Sequence, residues 1–170
     1  RLDGIDHTFR IPAFGVHNVY NALVAIGIAR TLNVPVQDIQ IGLARFQPPK
    51  MRLQFVAGRD GRTLINDAWN ANPTAMMEGL KVLKHVARGR PVVAVLGDML
   101  ELGSLTRWAH QQVGKFVAKI SPDWLVTVGK NAREIGTTAV SYGMNPSRVR
   151  HFSSRESAAR FLQQIPANAV

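Results

Sequence analysis

The sequence predicts an α/β protein with a doubly wound, mainly parallel sheet, preceded by a helical segment from a different domain. Three observations carry that prediction. From about residue 51 onward, strand-like and helix-like segments alternate, as they do in folds where helices cross over between parallel strands. The strand-like segments are continuous apolar runs such as Val92-Val93-Ala94-Val95-Leu96, which suit strands covered on both faces. The consecutive prolines Pro48 and Pro49 cannot continue a helix and favour an extended connector, so a domain junction is expected near residue 50.

The elements follow in order. Residues 1–14 read as an extended entry ending near Pro12 and Gly15. In GVHNVYNALVAIGIARTLNVP, Asn18 is a residue type that caps helix N-termini. Val19, Leu23, Ile26 and Ala29 or Arg30 follow at helical spacing until Asn33 and Pro35. This helix is apolar nearly all round and is expected to be buried. A second helix is expected over 36–46, where Val36, Ile39, Leu43 and Phe46 form one apolar face. Beyond the junction, RLQFVAG and RTLINDA form a hairpin around Arg59-Asp60-Gly61. Helix 73–87, strand 91–98, helix 105–120, strand 123–129, helix 131–142, strand 148–152 and helix 154–164 complete the pattern. Ser153 and Glu156 read as a capping box for the last helix. The final QQIPANAV falls where another strand is due, so residues 51–170 are expected to be truncated before the last strand or strands. The two helices before residue 50 have no sheet of their own, which implies truncation at the start as well.

Composition narrows the function classes. Hydrophobic residues make up 46% and charged residues 19%, the balance of a globular domain. The absence of cysteine excludes disulfides, thiolate metal sites and a cysteine nucleophile, and a cytosolic location fits. No apolar run approaches the roughly 18–20 residues of a membrane span. Asp3 and Asp6 sit where a signal peptide would be basic or apolar. The net charge of +10 is spread along the chain and the 7% of aromatic residues do not interleave with it, so no nucleic-acid partner is expected. An anionic small molecule suits a basic domain better.

Candidate chemistry collects where strands run into helices, the ligand-binding edge of parallel sheets. NDAWNANP follows the second hairpin strand, GDMLELG follows Val92–Leu96, and GKNARE follows Val126–Val128. Asn72 before Pro73 is the helix cap residue expected from sequence alone. Asp67 comes too early to cap that helix, and a strand-end acid can accept hydrogen bonds from sugar hydroxyls. Asp98 and Glu101, between Gly97 and Gly103, could organise their loop, bind a cation or meet a substrate amine, although solvated loop acids are the commoner case. His110 reads as a packing or surface residue, and Met76, Met77, Leu80 and Leu83 as the core face of a helix. His17, Asn18 and Asn21 cluster at a helix start, with 18 and 21 on one side, so that an amide-like edge such as that of adenine could be read there. No P-loop, G-x-G-x-x-G, H-E-x-x-H or G-x-S-x-G motif is present. The residues alone point to part of a two-domain α/β protein with a small-molecule cleft.

Taken in order, GVHNVYNALVAIGIA, KMRLQ, INDAWNANPTAM and VAVLGDMLELG resemble the Mur ligase family, ATP-dependent amide ligases of peptidoglycan synthesis. GDMLELG after DAWNANP is most like the D-alanyl-D-alanine-adding branch. The resemblance implies that residues 1–50 are the C-terminal tail of a central ATPase domain and residues 51–170 a C-terminal Rossmann-like domain. It implies that Asn18 and Asn21 lie near adenine, with His17 beside them, that Asp67 contacts the ribose, and that Arg52 contacts the nucleotide and acts in catalysis. Asn70 and Asn72 are implied at the same turn and on the substrate side, and Asp98 and Glu101 join them as substrate-side candidates from their place in the loop after the third strand. ATP and Mg²⁺ are the implied cofactors, with the P-loop and most metal ligands outside this chain and no metal ligand within it. The implied substrates are UDP-N-acetylmuramoyl-tripeptide and D-alanyl-D-alanine, joined through an acyl phosphate in the bacterial cytoplasm. The remaining domains of the same polypeptide are the implied protein partner, and the chain alone is expected to be inactive. Two alternatives stand beside this: another amide ligase of the superfamily, such as folylpolyglutamate synthase, which GDMLELG disfavours, and a non-catalytic Rossmann-like binding module.

Overall fold

The computed structural model describes residues 5–165 and 169–170, apart from the Asp60 side chain. Residues 1–4 of the expected entry segment and 166–168 of the expected final connection lie outside the described residues. The chain divides into two compact units, residues 1–50 and 51–170.

The first unit holds helices α1 (Val16–Thr31) and α2 (Val36–Ala44), with Ala22, Ile26 and Ile39 as its buried residues. The expected burial of α1 is not found. Val16, Val19, Tyr20, Leu23, Val24, Ile28 and Leu32 are all exposed, because a helix that is apolar all round needs cover on every side and α2 is too short to supply it. Nor is Asn18 the N-cap. Gly15, at φ +90°, turns the chain directly into the helix three residues earlier than expected, which places Asn18 in the first turn.

In the second unit, β1 (Gln54–Ala57) and β2 (Thr63–Asn66) pair antiparallel, with Gln54 opposite Asn66 and Ala57 opposite Thr63 across a 3₁₀ turn at Arg59–Gly61. Then come α3 (Pro73–Ala87), β3 (Val93–Gly97), α4 (Thr106–Ile120), β4 (Trp124–Val128), α5 (Arg133–Ser141), β5 (Val149–Phe152) and α6 (Arg155–Leu162). Strands β3, β4 and β5 form a parallel sheet in that order, with Ala94 beside Leu125 and Leu125 beside Val149. A 3₁₀ turn at Gly103–Leu105 delays α4 by one residue relative to expectation.

Strand alternation sends side chains to two different layers. Ala94, Leu125 and Val149 pack with Leu80 of α3, Val113 and Val117 of α4, and Ile135 and Ala139 of α5. Trp124 and Phe152, of opposite parity, meet Phe161 of α6 at ring-centroid distances of 5.4 and 5.6 Å. Helices thus lie on both faces, which makes the sheet doubly wound, but α6 meets only β4 and β5, so the expected cover on both faces of Val92–Leu96 is incomplete and Val95 of β3 stays exposed. Where a further strand was expected, Ala169 and Val170 run beside β3. The Val170 N–H donates to the Pro91 carbonyl, its carbonyl accepts from the Val93 N–H, both at 2.8 Å, and the Ala169 carbonyl accepts from Thr63 of β2. Two bonds of that kind to residues flanking Val92 are parallel pairing.

The cap of α6 differs from the expected Ser153–Glu156 box. Ser154 is the N-cap and accepts from the Ser157 N–H, so the helix starts one residue later and Glu156 sits in its first turn. There its own backbone N–H and the Ser154 hydroxyl hold the carboxyl below the usual range.

Candidate functional site

Asp67 follows the last residue of β2, and its side chain turns back onto the start of β1. Oδ1 accepts the Leu53 N–H at 3.0 Å, the Trp69 N–H donates to the Met51 carbonyl at 3.1 Å, and the Met51 N–H donates to Gln54 Oε1 at 3.1 Å. These bonds hold an uncommon backbone. Met51 and Leu53 sit at φ +62° and +43°, on either side of Arg52. Left-handed conformations of this kind cost about 1–2 kcal/mol per non-glycine residue and persist where the surroundings fix them. Arg52 is thereby displayed on the surface, its guanidinium carbon 5.9 Å from the ring centroid of Trp69, which is itself 64% exposed. On its other side Asp67 lies against α3. A Cβ placed on Gly79 would come within 3.2 Å of Oδ2, so the helix can back this carboxylate closely because residue 79 has no side chain. Arg52 and Asp67 are thus brought to one corner, both exposed.

The asparagines of the same turn are engaged locally. Asn70 Oδ1 accepts from the Ala71 N–H and Asn72 Oδ1 from the Ala75 N–H, both at 2.9 Å, the latter being the N-cap of α3 read from the sequence. Their oxygens shape the backbone, and both residues are exposed.

The loop after β3 is pinned at two points. Asp98 Oδ1 accepts the N–H groups of Asn131, at 2.9 Å, and Ala132, at 2.6 Å, which puts a carboxylate on the N-terminus of α5 from a loop 33 residues away. Gly129 makes room for it: at φ +112°, a Cβ there would fall 2.6 Å from both Asp98 Cγ and Oδ1. One residue on, the Met99 N–H donates to His110 Nε2 at 3.1 Å. Glu101, at φ +60°, is exposed, as is Leu100. Asp98 and Glu101 share this loop, and Asp98 has one oxygen committed to holding it.

Beside it, His151 of β5 has Nδ1 3.1 Å from Thr127 Oγ1. Burial and the nearby Arg133 hold its imidazole below the usual range, against an opposing pull from Asp98.

In the first unit, the Asn18 amide donates to the Phe14 carbonyl at 2.8 Å and lies 3.1 Å from His17 Nε2, while Asn21 donates to Asn18 Oδ1 at 3.3 Å. His17, Asn18 and Asn21 therefore form one linked group, with Asn21 at its exposed end.

Sequence reasoning missed the parts played by Gly79, Gly129, Trp69 and His110. Gly129, directly after an apolar strand, was the one with a local signal, since such glycines often mark a close approach. Among the described residues no three His, Asp or Glu side chains converge on one point, although Mg²⁺ held by one or two carboxylates together with nucleotide phosphates would not need three. An open depression of about 190 Å³, lined by Ser121, Pro122, Asp123, Met144, Asn145 and Arg148, lies at the opposite, amino end of the strands. Asp123 there accepts from the Val92 N–H and serves the sheet.

Residues 51–170 match the family model described as "Mur ligase, glutamate ligase domain". The UDP-N-acetylmuramoyl-tripeptide–D-alanyl-D-alanine ligase of Bacillus subtilis is 33% identical over 168 residues, covering 99% of this chain and 36% of that protein. A crystal structure of MurF from Acinetobacter baumannii superposes with a TM-score of 0.78 at 33% identity, over 92% of this chain and 32% of that one. The MurF ligase of Thermotoga maritima in complex with ADP shares the fold at a TM-score of 0.73 and 19% identity, over 92% of this chain and 34% of that one. The chain spans about a third of the length of the relatives it matches.

Proposed function

The chain belongs to the Mur ligase family, and from that premise we propose that it is the C-terminal part of the ATP-dependent ligase that adds D-alanyl-D-alanine to UDP-N-acetylmuramoyl-tripeptide. The observation that carries this reading is the corner built from Arg52 and Asp67: a strand-end carboxylate backed by Gly79 and an arginine displayed by a constrained turn, in a chain akin along nearly all its length to such a ligase. Residues 1–50 are the tail of the central ATPase domain and 51–170 the C-terminal domain. The enzyme works in the bacterial cytoplasm with the rest of its polypeptide, and the part described here does not turn over substrate alone.

In the reaction proposed, a carboxylate oxygen of the tripeptide attacks the γ-phosphorus of ATP, the bond to the β-phosphate oxygen breaks, and ADP leaves. The free amine of D-alanyl-D-alanine then attacks the acyl carbon. The amine loses its proton, the carbon–oxygen bond to phosphate breaks, and an amide and inorganic phosphate result. Asp67 accepts hydrogen bonds from ribose hydroxyls. Asn18 and Asn21 face adenine, with His17 holding Asn18. Arg52 offsets the negative charge that builds during both transfers, the kind of positioned charge that supplies much of the acceleration in phosphoryl and acyl transfer. Asn70 and Asn72 shape the turn beside the nucleotide. Glu101 faces the incoming dipeptide from a loop that Asp98 holds in place. Mg²⁺ ligands belong mostly to the rest of the polypeptide.

The test is ATP-dependent phosphate release by the full-length protein with UDP-N-acetylmuramoyl-tripeptide and a panel of acceptors. Release should require D-alanyl-D-alanine. Release with glutamate on a folate acceptor would favour the folylpolyglutamate synthase reading, and no release with any acceptor would favour a binding module.

A further inference from the structure

We propose that His110 is a positioning residue for the acceptor dipeptide, acting by fixing the path of the loop Asp98–Leu102. The identity of the substrate rests on the ligase reading above; the fixing of the loop does not.

His110 lies on α4 and is fully buried. Packing alone does not require a histidine there, since its neighbours Val113 and Val117 on the same helix are aliphatic and equally buried. What the imidazole supplies is a matched pair of polar atoms. The Met99 amide can only donate, so Nε2, 3.1 Å from it, is the unprotonated acceptor. The proton then sits on Nδ1, which donates to the Thr106 carbonyl at 2.6 Å. One tautomer satisfies both bonds, and the second bond locks the ring that makes the first.

The consequence is carried by the loop. The Met99 side chain is 1% exposed and packs in the core with Ala109 and Val113, so this residue is held by its backbone and its side chain together. Asp98, one residue earlier, is tied to the start of α5. With 98 and 99 fixed, the chain enters the exposed stretch Leu100-Glu101 from a set direction, and Glu101 takes a left-handed backbone before the turn at Gly103–Leu105. Without an acceptor at Nε2, the Met99 N–H would be left buried and unpaired, a state avoided by rearrangement of the backbone around it. Glu101 would move with that rearrangement. The nucleotide candidates of this unit, Arg52 and Asp67, sit on the hairpin and have no bond to this loop. Loss of Nε2 is therefore expected to affect the two substrates unequally.

Two near-isosteric variants separate the bonds. Asparagine can place an amide N–H near the Nδ1 position but offers nothing at Nε2; glutamine can place an oxygen near Nε2 and accept from Met99. In the full-length ligase, His110→Asn should raise KM for D-alanyl-D-alanine by about tenfold, the effect of one unpaired buried donor, with KM for ATP within about twofold of wild type. His110→Gln should restore the dipeptide KM to within about threefold. Hydrogen exchange of a peptide containing Met99 should speed up in His110→Asn and stay slow in His110→Gln. Equal kinetics for the two variants, parallel rises in both KM values, or an unchanged Met99 exchange rate in His110→Asn would each overturn the proposal. If His110→Asn does not fold, a dipeptide KM raised tenfold in a folded His110→Gln overturns it as well, because that variant retains the bond held to matter. Should the wild-type protein consume no dipeptide, the ligase reading fails, while the exchange contrast between the two variants still decides whether His110 fixes the loop.

Discussion

Replacing Gly129 by alanine tests how the loops at the carboxyl edge of the sheet are held. Two costs are expected. The residue sits at φ +112°, outside the regions open to L side chains, and a residue forced there costs about 1–3 kcal/mol. The new Cβ would also lie 2.6 Å from Asp98 Cγ and Oδ1 and drive the carboxylate off the Asn131 and Ala132 amides. Loss of a carboxylate from a helix N-terminus costs about 0.5–2 kcal/mol. Gly129→Ala should therefore destabilise by about 1.5–5 kcal/mol, the two costs added, and Asp98→Ala by about 0.5–2 kcal/mol. In the double variant the carboxylate is already gone, so its loss is not counted twice. The sum of the single effects should exceed the double effect by about 0.5–2 kcal/mol, a coupling expected only of groups in contact. Urea unfolding of the four proteins, with comparable slopes, measures this cycle. Strict additivity would show that Gly129 does not accommodate Asp98, and the account of this edge would be wrong.

Other outcomes follow from the same geometry. Asn72→Ala should cost about 1 kcal/mol of stability through loss of the α3 cap, with little change in KM for ATP, as read by melting and kinetics together. Gly79→Ala should raise stability by up to about 1 kcal/mol through helix propensity while weakening ATP use, because its Cβ presses on Asp67 Oδ2; a gain in both would mean that the carboxylate is not backed there. His151 is held below its ordinary value by burial and then by Arg133, so the folded state favours the neutral ring. The associated stability is complete above the unfolded value of about 6.5 and is lost as pH falls from there toward the folded value. His151→Gln should flatten that part of the stability–pH curve, and a slope unchanged by the substitution would assign it to another group.

Much of the fold was legible because its signals are local. Asn72 followed by Pro73 marks the start of α3, and the apolar runs mark β3 and β4 as strands, although only β4 is covered on both faces, since Val95 of β3 is 47% exposed. The misreadings arose where two neighbours could each do the same job. Gly15 rather than Asn18 starts α1, and Ser154 rather than Ser153 caps α6. The exposure of α1 had a different cause: a pattern of apolar residues tells that a surface seeks cover, not which residues supply it. At the candidate site, Asp67 and Arg52 could be picked out by type and place. That Asp98 could organise its loop was also readable, but its partners at the start of α5 were not, nor was the role of His110, because the atoms that define them are 33 and 11 residues away along the chain. Local sequence carries no trace of such partners, and the left-handed turns at Met51 and Leu53 were equally silent, since neither residue favours them.

The central claim is that Asp67 handles the nucleotide. Steady-state kinetics of Asp67→Ala in the full-length ligase, alongside its melting temperature, test it most directly. Charge-assisted hydrogen bonds contribute about 1.5–3 kcal/mol each, and about 1.4 kcal/mol is a tenfold change, so kcat/KM for ATP should fall by at least about tenfold. Folding should survive with only the modest loss due to the freed Leu53 N–H, because the carboxylate is exposed. Wild-type kcat and KM for ATP in a variant that melts far earlier would make Asp67 a brace for the turn around Arg52 and contradict the nucleotide site proposed here.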